Sequence, residues 1–173
     1  MKKVLLVIVA LFCVSTVSAK KTAQDYVDIA KNSRCSVGLR LGTGGEIAAE
    51  CFYAKDVYVE GRLGLHWGGG LNFTALHAWN PFDWNWTPNA GWWFFDYGVG
   101  AFVGGGNHHV NFGVAGMAKF GILFKKVPIR LSVDVTPHVG LYAVGKKYRG
   151  DSAGIGFYRT GLLNTGLSAT WCF

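Results

Sequence analysis

The chain has 173 residues, half of them hydrophobic, with 25 glycines, 12 phenylalanines, 7 tryptophans and a formal charge of +7. That length suits one domain. The basic surplus is diffuse, because Lys and Arg never run beyond two in a row, and this excludes a nucleic-acid footprint. No later stretch approaches the apolar length of a transmembrane helix, while abundant glycine and aromatic residues favour strands and tight turns.

The N-terminus opens Met1-Lys2-Lys3, continues with an apolar run from Val4 to Val14 and reaches the small-residue site Val17-Ser18-Ala19. A basic start, a short apolar core and such a site read as a secretory signal peptide over residues 1–19. The run is too short to span a bilayer as a helix. Phe12 before Cys13 argues against lipoprotein processing, so the mature chain is expected to begin near Lys20. Residues 1–19 hold Lys2 and Lys3 and no acid, so the mature charge is +7 minus 2, or +5. Cys35, Cys51 and Cys172 remain, and an odd number excludes a complete intramolecular disulfide framework.

Residues 20–34 form a polar lead-in, a short helix or an irregular segment. From 35 to 173 the chain reads as strands divided by turn signals. Strand one (35–42) and strand two (45–53) flank a turn at Gly42-Thr43-Gly44-Gly45. Setting Leu39 against Ile47 also sets Val37 against Ala49, Cys35 against Cys51 and, on the opposite face, Arg40 against Glu46. Strand three starts at Val57 and places Ile47 beside Leu63 and Cys51 beside Val59. Tyr58, Glu60, Arg62 and His66 share its polar face. Strand four (71–79) leads into an aromatic-rich connection at 80–91. Strand five (92–103) carries Trp93, Phe95, Tyr97, Val99, Ala101 and Val103 on one face and Asp96 on the other. Strand six (110–124) and strand seven (129–142) meet with Lys119 opposite Asp134 and with Arg130 on the same polar face. A polar loop over 143–154 precedes the last strand. His77 and Arg159 fall on the apolar parity, and Leu76, Leu123 and Leu162 on the polar one.

Eight alternating strands with short connections predict an all-β, closed antiparallel meander barrel. Which face lies outside decides between a soluble and a membrane barrel. The polar face gathers Arg40, Arg62, Lys119 and Arg130 against Glu46, Glu50, Glu60, Asp96 and Asp134, with His66 and Glu60–Arg62 in one network. An eight-stranded barrel is just wide enough for side chains to fill, so balanced charges there can pair and plug the lumen. The continuous Val, Leu, Ile, Phe and Trp face then belongs outside, which predicts a transmembrane barrel with a short periplasmic lead-in and no nucleic-acid partner. The expected location is the outer membrane, with its lipids as partners. The tryptophans near strand ends suit the membrane interface.

The C-terminal Leu163, Thr165, Leu167, Ala169, Trp171 and Phe173 alternate and end on Phe. This segment resembles the terminal strand of outer-membrane barrels, and with the signal peptide the chain resembles small eight-stranded barrels of the OmpA and OmpX type. Val37–Gly42, Tyr97–Gly104 and Val127–Ser132 look like small barrels common in Bacteroidetes-type genomes. The resemblance implies that Trp171 and Phe173 belong to an assembly signal read by the barrel-assembly machinery. It brings no catalytic residues and no cofactor.

Candidate chemistry is sparse. His108-His109 point to opposite sides of an extended chain and are poor co-ligands, so no metal is expected. His108, Asp151 and Ser152 lie on one predicted rim and form a weak candidate triad. The glycine triplets at 68–70 and 104–106 lack the helix and lysine of a phosphate loop. Cys35 and Cys51 face each other in a register that permits a disulfide in an oxidising compartment; the plainer reading is two small apolar residues. The leading expectation is a non-enzymatic envelope-structural or surface-interaction barrel with an unknown periplasmic or surface protein partner. The alternatives are a lipid-modifying deacylase or acyltransferase, a soluble lipocalin-like ligand-binding barrel and a narrow channel.

Overall fold

The computed structural model describes residues 33–66, 70–87, 89–106, 109–144, 154–158 and 164–173, with backbone alone at His66 and 154–158. Among the described residues there are ten strands and no helix: β1 (Cys35–Gly42), β2 (Gly44–Ala54), β3 (Val57–His66), β4 (Leu71–Thr87), β5 (Gly91–Gly106), β6 (His109–Phe124), β7 (Ile129–Val135), β8 (His138–Val144), β9 (Gly154–Tyr158) and β10 (Thr165–Cys172). The expected signal peptide and most of the expected lead-in lie outside the described residues.

Each of β1 to β6 pairs antiparallel with its successor, β6 pairs with β7, β7 with β10, and β10 returns to β1. The sheet therefore closes on itself. Ten strands make eight staves because β8 continues β7, with both on β6, and β9 shares the last stave with β10. The fold is a closed eight-stranded antiparallel meander barrel. Closure satisfies the β1 and β10 backbone groups that an open sheet would leave bare. The registers follow the alternation: Leu39 faces Ile47, Cys35 faces Cys51, Ile47 faces Leu63 and Lys119 faces Asp134. The β2–β3 turn is tight, and Asp56 takes φ 59° there, a left-handed conformation that Asp tolerates in turns.

Two stretches depart from the expected layout. Residues 80–91 are not an irregular connection. β4 runs on to Thr87 and β5 starts at Gly91, with a bulge between Trp79 and Phe82. The bulge contains Asn80-Pro81, a pair that reads as a turn because Pro has no N–H to donate; bulges accommodate that loss. The extra residue reverses the parity of β4. Odd-numbered Phe73, Ala75, His77 and Trp79 face outward before it, and even-numbered Phe82, Trp84 and Trp86 face outward after it, opposite Phe95 and Trp93. The expected seventh strand is likewise broken, at Thr136-Pro137. There Thr136 N–H donates to the Asn164 carbonyl (2.7 Å), and the Pro137 carbonyl accepts from Gly116 N–H (2.9 Å). At that point the partner on one side changes from β10 to β9.

Alternation sorts side chains with few exceptions. Outward positions carry Val, Leu, Ile and aromatic residues, and inward positions carry the charges. Leu76 faces inward, packed with Tyr58, Ala78, Phe102, Ala115 and Met117 in an apolar cluster between β3 and β6. One sector of the interior is thus apolar. His77 faces outward, where its Nε2 is hydrogen-bonded to the Tyr53 hydroxyl. Leu123 lines the barrel mouth beside the termini. Arg159 and Leu162 lie outside the described residues.

Candidate functional site

The nine charged side chains of the polar face come from β1, β2, β3, β5, β6 and β7, and all are buried. Their ion pairs form one unbranched, alternating chain. Glu46 meets Arg40 (3.1 Å), Arg40 meets Asp134 (2.8 Å), and Asp134 meets Arg62 (3.2 Å). Arg62 meets Glu60 (2.5 Å), Glu60 meets Lys119 (2.5 Å), and Lys119 meets Glu50 (2.7 Å). Glu50 meets Arg130 (2.8 Å) and Arg130 meets Asp96 (2.6 Å). Every cation sits between two carboxylates, so five acids and four bases leave one formal negative charge.

Neutral groups complete the network. The Tyr58 hydroxyl donates to Asp96 (2.7 Å) and the Ser36 hydroxyl to Glu50 (3.1 Å). Thr136 accepts from Arg62 (2.8 Å) and donates to Asp134 (2.9 Å). Arg40 also reaches Asn164 Oδ1 (3.2 Å), which accepts from Thr43 (2.8 Å). The Arg130 guanidinium lies 3.8 Å from the Phe94 ring centroid, a cation–π contact strengthened by desolvation. Low dielectric makes each unmade bond costly, and here nearly every donor has an acceptor. Tyr58 was legible from its parity. Asn164 and Thr136 were not, because they sit at strand breaks that alternation does not foresee.

Inward glycines make room for this filling. A Cβ on Gly166 would lie 2.5 Å from Arg40 Cζ, and one on Gly64 would collide with Glu46 Cγ. Gly166→Val is expected to push the Arg40 guanidinium off Asp134 and to cost about 1–3 kcal/mol, the usual penalty of overpacking. Urea unfolding checks this; a cost near zero would mean that Arg40 has unused space.

Other predicted residues fall elsewhere. Cys35 and Cys51 are joined by a disulfide, and Cys172 is a buried free thiol. Thiol titration of the denatured chain beginning at Lys20 is expected to find one reactive thiol before reduction and three after it. Three before reduction would contradict the disulfide. Trp171 and Phe173 face outward, and Phe173 exchanges backbone hydrogen bonds with Cys35. His109 opens β6 and is exposed. The triad candidates His108, Asp151 and Ser152 lie outside the described residues, as does the His66 side chain. No group of His, Cys, Asp or Glu suited to a metal occurs among the described residues.

At the terminus-side mouth lies a cavity of about 800 Å³, walled by Phe52, Trp92, Phe94 and Leu123, floored by Arg130 and Cys172 and rimmed by Arg34, Lys55, Asp56 and Asp83. No family model, no curated protein and no solved structure matches the chain.

Proposed function

We propose that the protein is an integral outer-membrane β-barrel with a side-chain-filled lumen, exported by its signal peptide and serving a structural or surface-interaction role in the envelope. One observation carries this reading: the polarity of the barrel is inverted. Leu39, Val99, Val114 and Leu167 are more than half exposed, while Arg40, Arg62, Lys119 and Asp134 are at most 2 % exposed. A water-soluble barrel needs the opposite arrangement. In lipid the apolar face costs nothing and closure satisfies the backbone. The outward apolar run of β5 from Trp93 to Val103 measures about 33 Å along the strand and, at the usual tilt, about 25 Å along the barrel axis, the height of a bilayer-facing band. The C-terminal resemblance to barrels of the OmpA and OmpX type points the same way, with Trp171 and Phe173 addressing the assembly machinery. Both termini then lie on the periplasmic rim. The continuous ion chain favours a plugged lumen over a channel.

Circular dichroism of residues 20–173 tests this reading. A cooperative β spectrum is expected in detergent micelles or lipid and not in water. A stable, monomeric β spectrum in water would refute the membrane barrel and turn attention to a soluble ligand site.

A further inference from the structure

Beyond Asn80 the β4–β5 hairpin overhangs the barrel rim. On one side the β2–β3 turn stops level with it, as the hydrogen bond from Asn80 N–H to the Asp56 carbonyl marks (2.8 Å). On the other side β6 accompanies β5 as far as Gly91. The overhang from Asn80 to Thr87 reaches about 20 Å along the strand.

Its two faces differ in chemistry. The outward face is a continuous ring array: Phe82 stacks on Trp84 (5.7 Å between centroids), Trp84 on Trp86 (5.2 Å), Trp86 leans on Trp93 (6.0 Å), and Trp93 stacks on Phe120 (5.3 Å). Phe82 and Trp86 are at least half exposed. This array continues the outward surface of the barrel, where Trp79 stacks on Tyr97 (5.4 Å). The inward face is polar at Asn80 and Asp83 and forms one wall of the mouth cavity. Lys125 lies at its edge, 4.5 Å over the Trp92 ring and 3.3 Å from Asn85 Oδ1, next to Lys126.

We infer that this hairpin is a lipid paddle: its ring face lies in the headgroup–acyl boundary of the terminus-side leaflet while its polar face stays in water over the barrel mouth. The inference rests on the membrane reading and adds a one-sided attachment to it. Tryptophan suits that boundary because the ring is apolar and the indole edge is polar. The parity reversal at Asn80-Pro81 brings three of the rings to this face. Lys125, whose N–H donates to the Ala90 carbonyl in the hairpin turn (3.0 Å), and Lys126 beside it put at the tip of the hairpin the charge that anionic headgroups attract.

The test uses the full mature chain in phosphatidylcholine–phosphatidylglycerol vesicles whose acyl chains are brominated either near the glycerol or near the methyl end. Emission lost in the Trp84→Phe/Trp86→Phe variant reports the paddle. A second variant, Val99→Trp, reports the middle of the outward face. Paddle emission is expected to be quenched at least about twofold more by bromine near the glycerol than by bromine near the methyl end, and hardly by aqueous iodide. Iodide quenching of the paddle without bromine quenching, while Trp at position 99 responds to bromine near the methyl end, would overturn the paddle and leave the membrane barrel standing. Failure of bromine to quench at position 99 as well would overturn both.

Discussion

Arg62→Met is expected to destabilise the barrel by about 3–5 kcal/mol, the cost of removing one partner from a buried ion pair. Arg62 sits near the middle of the alternating chain between Asp134 and Glu60. Its loss leaves Asp134 with Arg40 alone and Glu60 with Lys119 alone, and takes the lumen from one to two excess negative charges. Methionine fills much of the volume, so the effect reports charge rather than a void. Adding Asp134→Asn restores the original excess of one. The double variant is then expected to be more stable than the sum of the single losses implies, by at least about 1 kcal/mol. Unfolding by urea in detergent measures all three variants. A loss for Arg62→Met below about 1 kcal/mol would show that water reaches the network and screens it.

The outward face yields the second large effect. Val99 is 58 % exposed and, paired with His77 and Gly116, lies next to the midpoint of the outward run of β5. In lipid, Val99→Arg is expected to cost about 2–4 kcal/mol, and Val110→Arg, nearer the rim, about 0–1 kcal/mol. That dependence on depth is the signature of a bilayer. On a face exposed to water both substitutions would be nearly neutral, because an exposed arginine keeps its hydration. Equal and small effects at the two positions in vesicles would therefore count against the membrane reading.

Much of the barrel was legible because a strand has a period of two and one face carries charge. Arg40, Glu46, Lys119 and Asp134 each mark the inward side, so one pair aligns a whole hairpin. Legibility ended where local chemistry opposes the pattern. Asn80-Pro81 carries a turn signal, yet β4 absorbs it as a bulge and continues to Thr87. Thr136-Pro137 interrupts a run that alternation joins. The partners within the lumen were also beyond reach. Lys119 stands opposite Asp134 in the ladder, but its ammonium binds Glu50 and Glu60 across the interior. Register describes neighbours along the wall, whereas a long side chain in a narrow barrel selects partners across it. The candidate triad sits in segments about which the described structure is silent.

The pairing of β1 with β10 has a consequence in time. Cys35 and Phe173 exchange backbone hydrogen bonds, so the seam of the barrel joins its first strand to its last. Local hairpins can form as soon as their two strands exist, but the seam cannot. Arg40 lies on one side of it and Asp134, on the stave beyond β10, on the other. Their contact therefore belongs to the final step of assembly. Until then the acids and bases of the lumen face each other across an open trough, and the outward apolar surface needs lipid or a chaperone to cover it. A chain lacking β10 would remain an open sheet with two adhesive edges, so deletion of that strand is expected to convert a closed barrel into an aggregating sheet.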